Sequence, residues 1–228
     1  MPRQLVLDLP VRPALGRGDF FVSPANRLAL AQVESDASWP QGKLVLTGPG
    51  GSGKTHLVHV WAHDTGARIM DAAGIADADL ADLARAPRIA VEDADRIAGD
   101  RAAETALFHL HNLIAAAGGR LLVTARSAPL HWRLGLPDLE SRLGAAAVAR
   151  IDAPDDALLA AILVKLFADR QLAVPPALVP WLVRRMERST AAARDLVGAI
   201  DSRALAEARP ITRGLVAEVL DSRARQGQ

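Results

Sequence analysis

The 228-residue chain contains no cysteine. Disulfides, thiolate zinc sites and cysteine nucleophiles are thereby excluded, and a reducing, cytoplasmic setting is the expectation. Lysine is scarce: Lys43, Lys54 and Lys165 are the only three among 27 basic residues. Against 26 acidic residues these leave a net charge of +1, with no basic footprint for nucleic acid, so strong direct DNA binding is not expected. No apolar run approaches the ~20 residues of a membrane helix. The N-terminus lacks a positive-then-apolar export pattern, since Asp8 and two prolines interrupt it. Half the residues are apolar and 23% are charged, the balance of a globular chain long enough to bury a real core.

What the sequence does contain is centred on Gly48-Pro49-Gly50-Gly51-Ser52-Gly53-Lys54-Thr55. An apolar run, Leu44-Val45-Leu46, precedes it, and a helical run beginning His56-Leu57-Val58 follows. Strand, glycine-rich turn and helix are the setting in which G-x-x-x-x-G-K-[ST] binds phosphate. The glycines let successive backbone N–H groups converge on an anion at a helix N-terminus. Lys54 can reach the β and γ phosphates, and the Thr55 hydroxyl can ligate Mg²⁺. The expected ligand is ADP or ATP with Mg²⁺, the choice between the two nucleotides staying open.

Taken in order, Gln4 to Leu9 alternates apolar residues (Leu5, Leu7, Leu9) at strand period, ahead of a loose stretch with Pro10, Pro13, Gly16 and Gly18. Such a segment is either an edge strand or tail, or a peptide that docks on another protein. Docking is expected to be weak, because three buried leucines yield ~1.5–3 kcal/mol each. Ordering the six residues costs ~1–2 kcal/mol apiece. Phe20 to Asn26 precedes a short helix from Arg27 to about Val33. Aromatics there either pack on a nucleotide base or belong to the core. Further strands are expected at 68–71, 88–93, 121–124 and 148–151, with helices from about Ile75 to Arg85 and from Asp100 to Ala117. Strands alternating with helices imply an α/β fold with a parallel sheet flanked by helices. From Pro154 onward only helical spacing remains. Asp155 or Asp156, Thr190 and Thr212 are the expected caps, and a further helix carries Leu178, Leu182, Val183 and Met186. The expected division is a tail and linker over 1–19, an α/β domain over 20–153 and a small all-α domain over 154–228.

The second chemical feature is a carboxylate pair, Glu92-Asp93, ending a buried strand downstream of the P-loop. Such a pair holds Mg²⁺ and orients the attacking water; Glu92 is the metal-side candidate and Asp93 the water-side one. Thr124, at the end of the next strand, can hydrogen-bond the γ-phosphate or that water. His56, His59 and His63 fall near one helical face, but no further ligands accompany them as a metal site requires. Arg142 and Arg194 cannot be promoted above other arginines by spacing alone.

Several segments, in order, resemble the DnaA family of AAA+ replication initiators. Gly53-Lys54-Thr55-His56-Leu57-Val58-His59 is similar to its P-loop, and Phe21-Val22-Ser23-Pro24-Ala25-Asn26 to the box before its first strand. Val91 to Gly99 is similar to its magnesium-site strand, and Leu139 to Leu143 to the segment carrying its arginine finger. Ala193-Arg194-Asp195-Leu196 falls where its second sensor arginine lies. The resemblance covers about residues 20–224 and implies an AAA+ P-loop NTPase whose all-α domain forms a lid. It places Phe21, Val22, Asn26, Gly48 to His56 and Arg194 at the nucleotide. Glu92, Asp93 and Thr124 become catalytic in type, Arg142 a finger offered in trans, and Arg126 a weaker partner contact.

Two differences point to the Hda group of DnaA-related regulators. With the sequence ending at Gln228, the helix-turn-helix domain of DnaA is not expected, and only a short tail is expected ahead of the nucleotide-binding module. That tail, with Gln4, Leu5, Leu7 and Leu9, resembles the Q-L-x-L-x-L peptide that binds the sliding clamp. The resemblance implies a negative regulator that binds the β clamp of DNA polymerase III and promotes hydrolysis of DnaA-bound ATP. It usually implies bound ADP acting as a structural ligand. One departure is Glu92-Asp93 where DnaA has two aspartates; a longer metal-side and shorter water-side carboxylate imply weak hydrolysis in its own site. The alternatives are a stand-alone AAA+ ATPase of the helicase-loading type and a DNA-binding initiation factor. Oligomeric state, a homodimer included, stays open.

Overall fold

The structure is a computed structural model describing residues 20–226. The tail residues Gln4, Leu5, Leu7 and Leu9 lie outside the described residues. The chain divides into two compact units, one running to Ala153 and one beginning at Pro154.

The first unit is built on five strands: β1 (Lys43–Thr47), β2 (Arg68–Asp71), β3 (Arg88–Glu92), β4 (Arg120–Ala125) and β5 (Ala147–Arg150). They form one sheet in the order β2-β3-β4-β1-β5, every pair parallel. Because alternate side chains of a strand face opposite ways, β1 contributes to two cores. Leu44 and Leu46 join Ala90, Leu122 and Ala149 against α1 (Arg27–Glu34) and α2 (Lys54–Thr65). Val45 joins Val91, Leu121 and Val123 against α4 (Arg101–Ala116) and α5 (Pro137–Gly144). Burial on both faces explains why the central strands read as continuous apolar runs. Truncating a residue such as Leu46 to alanine costs ~2–5 kcal/mol.

Parallel strands put all their C-terminal ends on one edge. β1 delivers Gly48 there, β3 delivers Glu92 and Asp93, and β4 delivers Thr124 to Arg126. The register pairs Leu46 with Thr124 and Val91 with Val123. The chain leaves β1 for β2, at the far side of the sheet, which opens a crevice beyond the ends of β1 and β4.

The expected helix from Ile75 to Arg85 is instead two short pieces. Asp71 accepts from the Ala73 N–H at 2.8 Å and starts a 3₁₀ turn over Ala72–Asp77. Asp79 then accepts from the Asp82 N–H at 2.9 Å and starts α3 (Leu80–Leu83). Two capping aspartates eight residues apart interrupt what periodicity reads as one element. The long helix α4 is as expected, with Asp100 as its N-cap accepting from Ala102 and Ala103.

The helical unit comprises α6 (Asp156–Asp169), α7 (Leu178–Val183), α8 (Thr190–Glu207) and α9 (Arg213–Gln226). They enclose a core that includes Leu159, Leu163, Phe167, Leu182, Leu196 and Leu215. Asp155 caps α6 through the Leu158 N–H. The cap of α8 is Ser189 and not Thr190: Ser189 keeps extended backbone and its hydroxyl accepts from the Ala192 N–H. α7 ends before Met186, which packs on the core from the following turn, and Leu205 is exposed. Among the described residues no helix is long and apolar enough to cross a membrane.

Candidate functional site

The P-loop bends between β1 and α2 because three of its glycines adopt what other residues resist. A Cβ on Gly48 would collide with the Ile151 carbonyl and come within 2.8 Å of Ser52 Oγ. Gly51 and Gly53 sit at φ +67° and +104°, where a side chain is strained. Lys54, the first residue of α2, is buried, and its ammonium donates to the carbonyls of Gly48 (2.8 Å) and Pro49 (3.0 Å). Burial is the main influence lowering its pKa, opposed by the nearby Asp93 and Asp95 carboxylates. The Ser52 hydroxyl is buried with no hydrogen-bond partner.

Glu92 ends β3 facing α2. Burial raises its pKa above the ordinary carboxylate value, while the Thr55 side chain and His59 act in the opposite sense. One of its oxygens, Oε1, is buried and without a partner. A carboxylate oxygen left unpaired beside a threonine hydroxyl is the donor set of a hard cation such as Mg²⁺. The glycine cradle, the Ser52 hydroxyl and this pair therefore fit a nucleotide–Mg²⁺ complex. Thr55 and Glu92 would hold the metal, which supplies charge neutralisation at the phosphates when bound.

Asp93 takes the left-handed conformation (φ +55°, ψ +41°), and its N–H donates to Thr124 Oγ1 at 3.0 Å. That bond ties the ends of β3 and β4 together. The Asp93 carboxylate leans toward Arg96, 3.9 Å away. Sequence reasoning missed Asp95: its Oδ2 accepts from the Arg126 N–H at 3.1 Å, and its Oδ1 is buried and unpaired. The only signal was its place two residues beyond Asp93. Arg126 is exposed, yet its charge is near enough to lower the pKa of Lys54, so it stands at the rim of the phosphate loop.

The segment before α1 lies beside the same loop. Phe20 packs edge-on against His56, with ring centroids 5.2 Å apart, which sets Phe21 and Val22 near the first turn of α2. Both are substantially exposed. Asn26 is buried and braces the turn itself: its Oδ1 accepts from Ser23 N–H and its Nδ2 donates to the Phe21 carbonyl, each at 2.8 Å.

No protein-family model matches the chain. Among solved structures it superposes on domain III of the Thermotoga maritima replication initiation protein DnaA. The TM-score is 0.77 at 18% identity, covering 94% of this chain and 98% of that one. AMPPCP-bound DnaA from Aquifex aeolicus gives 0.67 at 16% identity over 79% of this chain and 63% of that one. A Thermotoga maritima RuvB mutant gives 0.66 at 17% identity over 89% and 70%. The fold is that of the AAA+ ATPases. The chain spans 66% of a further DNA replication initiation factor that it matches.

Arg142 occupies the opposite edge of this AAA+ sheet from the P-loop. It lies in the last turn of α5, which leads through Ala145 and Ala146 into β5, and Ala147 of β5 pairs with Leu44 near the start of β1. The Arg142 carbonyl accepts from Lys43, the first residue of β1, at 2.7 Å. Four strand steps of ~3.3 Å, roughly 13 Å in all, separate Lys43 from Thr47 before the P-loop begins. The Arg142 side chain is exposed and makes no hydrogen bond or ion pair among the described residues. Arg194 is exposed at the fifth position of α8, in the helical unit. The α/β unit thus gathers Gly48 to His56, Glu92, Asp93, Thr124, Arg126 and the Phe21–Asn26 segment around one crevice, and sets Arg142 apart from it.

Proposed function

We propose that this AAA+ chain is a DnaA-related regulator of replication initiation of the Hda type. It holds an adenine nucleotide, ADP in its resting form, and offers Arg142 to the ATP site of DnaA. The observation that carries this reading is the separation of the two features. A complete phosphate cradle faces one edge of the sheet, while an exposed, unengaged arginine stands at the other, where it cannot serve the chain's own nucleotide.

Chemically, the P-loop N–H groups and Lys54 bind the phosphates, exchanging the Gly48 and Pro49 carbonyls for a charged acceptor. Phe21 and Val22 offer the base an apolar wall, and Asn26 fixes that wall in place. Arg194 is carried as a nucleotide contact on the resemblance alone. Asp93 is the water-side carboxylate, but with its N–H on Thr124 and its carboxylate inclined to Arg96 it is poorly disposed to activate water. That supports slow hydrolysis at home and catalysis by donation elsewhere. In the partner, Arg142 would stabilise the charge that develops on the transferred phosphoryl group. Arg126 would contact the partner from the rim.

The tail residues Gln4, Leu5, Leu7 and Leu9 would anchor the chain on the β clamp, a multivalent ring that raises its local concentration at replicated DNA. The test is hydrolysis of DnaA-bound ATP with clamp-loaded DNA, comparing the intact chain with a Gln4/Leu7/Leu9 triple-alanine variant. The reading expects stimulation by the intact chain and its loss in the variant at equal concentration. Multiple turnover of ATP by the chain alone, with no effect on DnaA, would instead identify a stand-alone ATPase.

A further inference from the structure

The helix that carries Arg142 is held at both ends by buried charges that take no part in the phosphate site. At its N-terminal end stands Glu104 of α4, 0% exposed. Its Oε1 accepts from the Gly135 N–H at 3.0 Å and from Gly99 at 2.9 Å, and its Oε2 accepts from Leu136 at 2.7 Å. Leu136 is the N-cap of α5 and has no side-chain acceptor of its own, so the carboxylate does the work of a cap from a neighbouring helix. Arg101, also on α4, donates to the Gly135 carbonyl at 3.1 Å.

At the C-terminal end stands Lys43, 2% exposed. Its ammonium donates to the Arg142 carbonyl at 2.7 Å and lies 3.3 Å from His111 Nε2. An ammonium can only donate, so His111 Nε2 accepts. The imidazole proton then sits on Nδ1, which faces Asn112 Oδ1 at 3.2 Å. No carboxylate pairs with Lys43 among the described residues. Burial is the main influence lowering its pKa, followed by the Arg142 guanidinium. Negative charge at the N-terminus of α5 and positive charge at its C-terminus complement the helix dipole. A buried ammonium without a counter-ion is a poor way to stabilise a core, and an apolar side chain at the head of β1 would serve better.

We propose that Lys43 and Glu104 are positioning residues for Arg142, fixing α5 so that the guanidinium enters a partner's site in one orientation. The proposal rests on the arginine-finger reading above. A displacement of about 1 Å in a catalytic group costs on the order of 10²-fold in rate, so a helix that must place one side chain in another protein needs both ends tied.

The test uses the full chain with Lys43→Met and, independently, Glu104→Gln. The first removes the donor and keeps the stem; the second keeps the shape and removes one acceptor oxygen. Hydrogen exchange at the α5 amides is expected to quicken about tenfold or more in both, with α2 exchange unchanged. ADP affinity is expected within about twofold of the parent. Stimulated hydrolysis of DnaA-bound ATP at saturating concentration is expected to fall by roughly 10- to 100-fold, with the half-saturating concentration nearly constant. Lys43→Arg, which restores a donor, is expected to recover part of the loss. Unchanged α5 exchange, or full stimulation despite faster exchange, overturns the proposal. If Arg142→Ala also keeps full stimulation, the finger reading is what has failed, and α5 exchange alone still decides whether the two charges hold the helix. Should Lys43→Met not fold, Glu104→Gln carries the same comparison.

Discussion

The Lys54 ammonium donates to the carbonyl of Gly48 in its own loop at 2.8 Å, and Gly48 in turn sits against Ser52 and Ile151 with no room for a side chain. The phosphate loop is therefore a closed circuit of contacts. An anion entering it replaces carbonyl oxygens with a better acceptor for a cation that burial has made costly.

Lys54→Ala is expected to abolish ADP and ATP binding in calorimetric titration. Ligand at 100 times its Kd stabilises the bound fold by about 2.7 kcal/mol. At 2–4 °C per kcal/mol for a chain of this size, saturating nucleotide should raise the parent Tm by roughly 5–10 °C. The variant should show no nucleotide-dependent shift in the same melting experiment.

Gly48→Ala is expected to destabilise the α/β unit by about 1–3 kcal/mol, since its Cβ meets backbone and not a movable side chain. A lower urea midpoint with an unchanged m-value is the signature. Nucleotide affinity should fall with it, because the loop can relieve the clash only by moving.

His111 is the group whose titration should be visible in stability. Burial lowers its pKa, with Lys43 and Arg142 acting the same way and the Asn112 hydrogen bond opposing them. The unfolded chain thus binds this proton more readily than the fold does. The associated stability is fully present above the unfolded value, ~6.5, and is lost as pH falls below it toward the folded value. Denaturation of the parent and of His111→Asn over this range should show a shallower pH slope in the variant. NMR titration should also show the His111 pKa rising in Lys43→Met.

Thr124→Val is expected to release the half-buried Asp93 N–H, at a cost of ~0.5–1.5 kcal/mol for the lost hydrogen bond. Intrinsic ATP hydrolysis should drop in a single-turnover assay. Stimulation of DnaA should change far less, because the proposed function assigns that chemistry to Arg142.

Much of the α/β unit was readable because burial on both faces of a parallel sheet writes itself as apolar runs, and because the P-loop carries its own spacing. The amphipathic spacing from Asp100 to Ala117 announced α4, while the N-cap role of Asp100 shows only in the structure. The segment after β2 misled: its helical spacing is real, but Asp71 and Asp79 each capture a backbone N–H and cut it in two. Thr190 reads as a cap in the sequence, but Ser189, directly before it, offers the same chemistry from the extended position. Lys43, Glu104 and Asp95 were passed over for a shared reason. Each is a charged residue whose partners are backbone groups distant in sequence, and no local pattern records such a bond. Glu104 did leave a trace, as an acidic residue on the apolar face of α4.

The central claim is that residue 142 completes another protein's catalytic centre. The direct measurement is the single-turnover rate of ATP hydrolysis by DnaA on clamp-loaded DNA, with saturating parent, Arg142→Ala or Arg142→Lys. An arginine supplied in trans is worth ~10³–10⁵ in rate, so the alanine variant should return DnaA to its unstimulated rate while still binding ADP. Lysine, lacking the planar fork, should recover little. A folded, ADP-binding Arg142→Ala chain that stimulates DnaA as fully as the parent would contradict the account.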